Sequence, residues 1–237
     1  MTTSRMTSRI NLRAPVIVTL ALAVLMGPFF AWQSATGEEG KPSASIAPQG
    51  IVVVGDSITA RYNDRPGDDR QGWWSIVGRH YDAHVTTYAQ SGSGYVRPGL
   101  KCSGNRFIDR DRAFIGTAPS LLIVEGGRND WAVCEQGRFV VAADAVIEHA
   151  VDRYLETLTT FLPRSTRIVV LGPPWGPLDP AHGVRVTNII ETVAKRHGLQ
   201  FISTTGALTA DRVIDGIHPN RAGSRAIAAR VIRTLGG

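Results

Sequence analysis

Short apolar runs alternate with longer segments of helical periodicity from residue 51 onward. The runs that predict strands are 51–54, 84–88, 121–125, 168–171 and 201–202. The segments that predict helices are 73–81, 140–162, 184–197 and 220–235. In the second helix we expect Val146, Ala150, Tyr154 and Leu158 to form the buried face. Such alternation predicts an α/β fold with a parallel sheet covered by helices on both faces.

The N-terminal region predicts export. Arg5, Arg9 and Arg13 precede an uncharged stretch over 14–32. This pattern fits either a cleaved signal peptide or a retained hydrophobic helix that anchors the chain with its remainder outside the cytoplasm. We assign this segment to residues 1–35 and a flexible linker to 36–49. Residues 50–237 then form the folded domain, which is membrane-anchored or secreted.

Composition supports a globular domain and argues against nucleic-acid binding. The 237 residues are 43% apolar and 19% charged, with a net charge of +6. Only three basic residues are lysines, and the arginines are scattered along the chain without a dense basic run. We therefore expect no nucleic-acid partner, and the sequence leaves the oligomeric state open.

Chemically active residues follow the predicted strands. The loop after the first strand contains Ser57, the loop after the second contains Gly94, and the loop after the third contains Asn129. Asp215 stands three residues before His218, just ahead of the last predicted helix. Parallel sheets bind ligands at the carboxyl ends of their strands, where these loops would meet. The set offers a serine nucleophile, a histidine base with an orienting carboxylate, and donors for an oxyanion.

Three motifs resemble the SGNH (GDSL-type) hydrolase family. They are 55–57 (Gly-Asp-Ser), 127–130 (Gly-Arg-Asn-Asp) and 215–218 (Asp-Gly-Ile-His). The resemblance covers residues 51–237 and implies a three-layer α/β/α fold with a five-stranded parallel sheet. It also implies hydrolysis of esters without a metal or cofactor.

The same resemblance implies a role for each matched residue. Ser57 would be the nucleophile and, through its N–H, an oxyanion donor; Gly94 and Asn129 would be the other donors. His218 would be the base and Asp215 its orienting group. The asparagine that often precedes the glycine of the second motif is replaced here, since residues 89–91 are Ala-Gln-Ser. Gly92 consequently remains an alternative to Gly94.

Further residues have both a functional and a structural interpretation. Arg128, Trp74 and His182 are candidates for substrate contacts. The alternatives are a surface ion pair for Arg128, core packing for Trp74 and the role of catalytic base for His182, which also follows an aspartate by three residues. Cys102 and Cys134 fall in loops at one end of the sheet, and an exported chain favours a disulfide between them.

The predicted function is that of an extracytoplasmic serine esterase. Its substrates would be ester-containing small molecules, lipids or acylated carbohydrates, and the membrane is a partner if the N-terminal segment is retained. An acyltransferase that uses the same acyl-serine intermediate is one alternative, because the motifs do not separate water from a sugar hydroxyl as acceptor. A non-catalytic binding module is the other.

Overall fold

A computed structural model describes residues 50–62, 65, 67–178 and 183–236 of the chain. The predicted N-terminal hydrophobic segment (1–35) and linker (36–49) lie outside the described residues. Within the described ranges, no helix has the length and apolar character needed to cross a membrane.

Seven strands and five helices make up the described part of the chain. The strands are β1 (Ile51–Gly55), β2 (Val85–Ala89), β3 (Leu121–Glu125), β4 (Ala132–Glu135), β5 (Arg138–Val141), β6 (Arg167–Leu171) and β7 (Gln200–Ile202). The helices are α1 (Ser57–Ala60), α2 (Trp73–His80), α3 (Asp144–Phe161), α4 (Gly183–Arg196) and α5 (Arg221–Leu235). Five strands form one sheet in the order β2-β1-β3-β6-β7, and all its pairs are parallel.

The sheet separates two hydrophobic cores. Alternate side chains of a strand point to opposite faces, so Ile51 and Val53 of β1 pack with residues of α2 and α5. Val52 and Val54 pack with residues of α3 and α4 on the other face. Every residue of β1 and β3 is buried, as continuous apolar strands covered on both sides require. The three-layer α/β/α fold with five parallel strands is thereby confirmed.

The start of α3 corrects the sequence prediction. The predicted helix began at residue 140, but residues 138–141 form β5 and pair with β4 in an antiparallel hairpin. Tyr154 and Leu158 are buried as predicted, but Val146 is 44% exposed and the neighbouring Ile147 is buried in its place. Apolar residues at 147, 151, 154, 155 and 158 form the face that meets the sheet.

The last helix has well-defined ends. The Asn220 side chain accepts hydrogen bonds from the N–H groups of Ala222 and Gly223, which caps the first turn of α5. Gly236 adopts a left-handed conformation, with φ of +94°, and ends the helix. The cap fixes where α5 begins, three residues after His218.

Candidate active site

Ser57 lies at the first position of α1, directly after the carboxyl end of β1. The preceding Asp56 is fully buried, and its Oδ1 accepts a hydrogen bond from the Ile58 N–H at 2.9 Å. This bond turns the chain sharply from strand to helix. Asp56 therefore shapes the turn that presents Ser57.

His218 reaches Ser57 from a loop 161 positions away in the chain. Its Nε2 lies 3.0 Å from Ser57 Oγ, and its Nδ1 lies 2.7 Å from Asp215 Oδ2. The other carboxylate oxygen of Asp215 accepts the N–H groups of Ile217, at 3.0 Å, and His218, at 2.7 Å. One carboxylate therefore fixes both the loop backbone and the imidazole that it carries.

The charge state of Asp215 suits an orienting group. Partial burial raises its pKa, but hydrogen bonds from the backbone and side chain of His218 and from the Ile217 N–H outweigh this effect. The net result is a pKa below the ordinary value, so Asp215 is ionised at neutral pH. An ionised acceptor at Nδ1 keeps the proton of a neutral imidazole on that nitrogen and leaves Nε2 free to accept the serine proton.

Asn129 connects the loops that follow β1, β2 and β3. Its Nδ2 donates to the Ser93 carbonyl oxygen at 2.9 Å and to Asp56 Oδ2 at 3.3 Å. The amide therefore lies beside the turn that carries Ser57. The longer of these two bonds is the weaker one.

The loop after β2 changes the prediction for the second oxyanion donor. The N–H of Gly94 donates to the Arg97 carbonyl oxygen at 2.9 Å, so a turn already uses this donor. The N–H of Gly92 makes no hydrogen bond to another described residue. Gly94 is required for a different reason, because a side chain there would overlap the carboxylate oxygens of Asp130.

Asp130 anchors the loop after β2. Its carboxylate accepts the backbone N–H groups of Tyr95, Val96 and Arg97 at 2.9–3.1 Å, and the residue is fully buried. Burial raises the pKa of Asp130, although the three N–H donors oppose this shift. Asp130 therefore fixes the conformation of this loop.

Comparison with known proteins identifies the family of the chain. A sequence model of the GDSL-like lipase/acylhydrolase family matches residues 53–226. The chain belongs to this family. A GDSL lipase of Mycobacterium tuberculosis is 26% identical over 192 residues, which are 76% of this chain and 79% of that protein.

Solved structures agree with the fold of this GDSL-like hydrolase. A family two carbohydrate esterase from Clostridium thermocellum, in complex with cellohexaose, has a TM-score of 0.63 at 17% identity, covering 79% of this chain and 63% of that one. A carbohydrate esterase family 2 enzyme of Corynascus thermopiles (Myceliophthora fergusii) has a TM-score of 0.63 at 20% identity, covering 82% and 68% of the two chains. Family membership identifies the chain as a hydrolase of ester bonds.

Two predicted substrate residues of this GDSL-like hydrolase are packed inside the protein. Arg128 is buried and donates to the carbonyl oxygens of Pro174, at 3.2 Å, and Leu178, at 2.8 Å. Through these two bonds Arg128 supports the loop after β6. Trp74 is 7% exposed and packs in the core against Trp73, which confirms the alternative interpretation of Trp74. The third candidate, His182, lies outside the described residues.

The predicted disulfide is present. Cys102 and Cys134 are bonded, with their Cα atoms 5.6 Å apart. Cys134 lies on β4, and Cys102 lies in the long loop after β2. The bond therefore joins the hairpin that follows β3 to the loop that contains Gly92 and Gly94.

Two supporting residues of the family site had not been predicted. Arg110 donates from Nη2 to the Gly55 carbonyl oxygen at 3.3 Å and to Ser93 Oγ at 3.0 Å, which links the loops after β1 and β2. Glu125, at the end of β3, is fully buried and accepts the Thr59 hydroxyl at 2.7 Å. An acid that ends the apolar run 121–124 is a signal that could have revealed Glu125, whereas Arg110 has none.

Two neighbouring carboxyl groups behind Ser57 are protonated more readily than usual. Burial raises the pKa of Asp56 to about 6, against the hydrogen bond from Ile58 and the positive charge of Arg128. Burial and the charge of Asp56 hold the pKa of Glu125 well above its ordinary value. The nucleophile turn is thus backed by two buried carboxyl groups whose pKa values are both raised above the ordinary range.

Proposed function

We propose that the chain is an extracytoplasmic esterase that removes acyl groups from lipid or carbohydrate through an acyl-serine intermediate. The observation that carries this proposal is the continuous contact from Asp215 to His218 and on to Ser57, at 2.7 Å and 3.0 Å. Such a contact activates a hydroxyl that is otherwise a weak nucleophile. The lipase name of the mycobacterial relative and the carbohydrate esterases among the structural neighbours support this choice of substrates.

The first half of the reaction forms the acyl-enzyme. Ser57 Oγ attacks the ester carbonyl carbon while His218 Nε2 takes the hydroxyl proton. When the tetrahedral intermediate collapses, the bond to the alcohol oxygen breaks and His218 returns the proton to that oxygen. In the second half, water attacks the acyl group, again with His218 as the base, and the acid and free Ser57 are regenerated.

The oxyanion is proposed to be stabilised by three N–H donors. They are the Ser57 N–H, the Asn129 amide and the N–H of Gly92, which takes the place predicted for Gly94. Asn129 can give up its longer bond, to Asp56, without losing the 2.9 Å bond that orients it on Ser93. One such donor is commonly worth about 10²–10³ in rate.

Export is supported by the disulfide together with the charge pattern of the N-terminal segment. Disulfides persist in oxidising compartments and are rare in the cytosol. In a bacterial host that expresses the full chain, we expect the protein outside the cytoplasmic fraction with Cys102 and Cys134 oxidised. Recovery in the cytoplasm with both thiols free would contradict this part of the proposal.

The mechanism is tested by labelling and turnover together. We expect the purified protein to hydrolyse p-nitrophenyl acetate and to lose activity when a fluorophosphonate attaches to Ser57. Ser57→Ala should abolish turnover and labelling, whereas Ser103→Ala, which removes an exposed hydroxyl, should leave both unchanged. Labelling that persists in Ser57→Ala would refute the nucleophile. Adding an alcohol acceptor and measuring ester products tests the acyltransferase alternative.

A further inference from the structure

An arginine-rich groove lies between α2 and α5, on the face of the sheet opposite α3 and α4. Its volume is about 420 Å³, and four arginines line it: Arg70, Arg79, Arg221 and Arg225. Asp68 is the single acid among its described lining residues. Four positive charges against one negative charge make this a strongly cationic depression.

The groove arginines lack the acidic partners that several other arginines of the molecule have. Arg106 pairs with Asp109, Arg185 pairs with Asp144, and Arg196 pairs with Glu148 and Asp152. Across the described ranges, none of the four groove arginines forms an ion pair or a side-chain hydrogen bond, and Asp68 pairs with none of them. Four like charges with a single acid among them repel one another, and a bound anion would relieve that repulsion.

A second, smaller hollow adjoins the groove. A smaller hollow of about 150 Å³ shares Arg221 and Gln71 with the groove and is also lined by Tyr62. Tyr62 follows Ser57 by five residues, and Arg221 follows His218 by three. Short chain segments therefore connect two lining residues of the hollow to the proposed nucleophile and base.

We propose that this groove binds a phosphate group on the alcohol portion of the ester substrate, an inference that rests on the proposed esterase function. A guanidinium group binds phosphate through two parallel N–H···O bonds. Four arginines and one acid leave an excess of three positive charges, which suits a doubly charged phosphate monoester better than a single carboxylate. Since Asn220 already caps α5, the attraction comes from side chains rather than from the helix terminus.

A matched pair of substrates tests the proposal. One is 1-butyrylglycerol, and the other is the same ester with a phosphate on the third carbon. The double variant Arg221→Gln/Arg225→Gln should lower the ratio of kcat/KM for the phosphorylated ester to kcat/KM for the neutral ester by about tenfold or more. Arg138→Gln/Arg164→Gln, which removes two exposed arginines elsewhere, should leave this ratio unchanged. An equal fall in both double variants would overturn the proposal, because it would reflect overall charge alone.

Binding of inorganic pyrophosphate separates this proposal from the catalytic one. We expect calorimetry to show binding to the wild type and to Ser57→Ala, and at least tenfold weaker binding to the groove double variant. If neither ester is hydrolysed but pyrophosphate binds through the groove arginines, the esterase proposal fails while the anion site stands. Pyrophosphate binding that is absent, or unaffected by the groove substitutions, refutes the anion site even when both esters are hydrolysed.

Discussion

Replacing Asp215 by asparagine tests the proposed role of the carboxylate while preserving the loop around it. The asparagine Oδ1 can keep both backbone bonds, from the N–H groups of Ile217 and His218. Its Nδ2 then faces His218 Nδ1 at the position where Oδ2 now lies 2.7 Å away. An amide donor there places the imidazole proton on Nε2, which can no longer accept a proton from Ser57.

The expected loss of kcat follows from the free-energy cost of flipping the side-chain amide of the new asparagine. A flipped amide restores an acceptor to Nδ1 but loses both backbone bonds, at about 1 kcal/mol each, and points its N–H groups at two other donors. A cost of about 2 kcal/mol or more leaves at most about one molecule in thirty with a competent histidine. The loss of the negative charge beside the imidazolium lowers kcat further. We therefore expect Asp215→Asn to lower kcat at least about 10²-fold, toward the ~10⁴-fold effect of such a change in a buried triad.

The assay compares three proteins on p-nitrophenyl acetate, with thermal unfolding measured on each. Asp211→Asn is the matched control, because it removes an exposed charge from the same segment between β7 and α5 without affecting a contact of His218. We expect the control to retain wild-type kcat and Asp215→Asn to retain a near-wild-type melting temperature. A kcat for Asp215→Asn within about threefold of the wild type would refute the tautomer argument.

Three further changes probe the framework of the site. Cys102→Ser with Cys134→Ser opens a loop of 32 residues and should reduce the free energy of unfolding by up to about 3–4 kcal/mol, measured in urea; no loss would mean that the bond does not constrain the unfolded chain. The pKa of Asp56 is raised to about 6, so its stabilising contribution is complete below about pH 4 and is lost as the pH rises through 6. The free energy of unfolding of the wild type should therefore fall by up to about 3 kcal/mol more than that of Asp56→Asn between pH 4 and pH 7. Parallel pH profiles of unfolding free energy for the two proteins would contradict the raised pKa of Asp56. Gly94→Ala should destabilise the fold by about 1–3 kcal/mol in urea unfolding, whereas Gly116→Ala, whose added methyl meets no atom within 4 Å, should not.

The sequence predicts those parts of the molecule that local pattern determines. The all-apolar strand β1 requires helices on both faces of the sheet. The residues that follow it form a recognisable motif. Local pattern does not predict the hairpin of β4 and β5, because the residues of β5 are exposed and its two valines also fit a helix. The tight turn at Gln136 and Gly137, with φ of +49° and +75°, carries a weaker sequence signal than an asparagine-glycine pair.

Side-chain positions that depend on distant contacts also lie beyond local pattern. Gly92 and Gly94 are two residues apart in one loop. The Gly94 N–H donates to the Arg97 carbonyl oxygen, whereas the Gly92 N–H has no described partner, and this difference is visible only in the structure. Arg128 stands next to Asn129 in sequence but points into the protein, toward carbonyl oxygens about fifty residues away. A motif therefore identifies which residue types serve the chemistry without deciding which neighbour faces the substrate.

The buried carboxyl groups hold the loops of the candidate site in place. A carboxyl group accepts several donors at once, which offsets the cost of removing it from water. Asp130 accepts three backbone N–H groups of the loop after β2, and Glu125 accepts the Thr59 hydroxyl of the helix that begins at Ser57. Both acids come from the end of β3 and its loop, so one segment positions the nucleophile and the glycine loop together. Displacement of that segment would disturb both at once, which is the reason for expecting substitutions at Asp130 and Glu125 to impair catalysis without touching substrate.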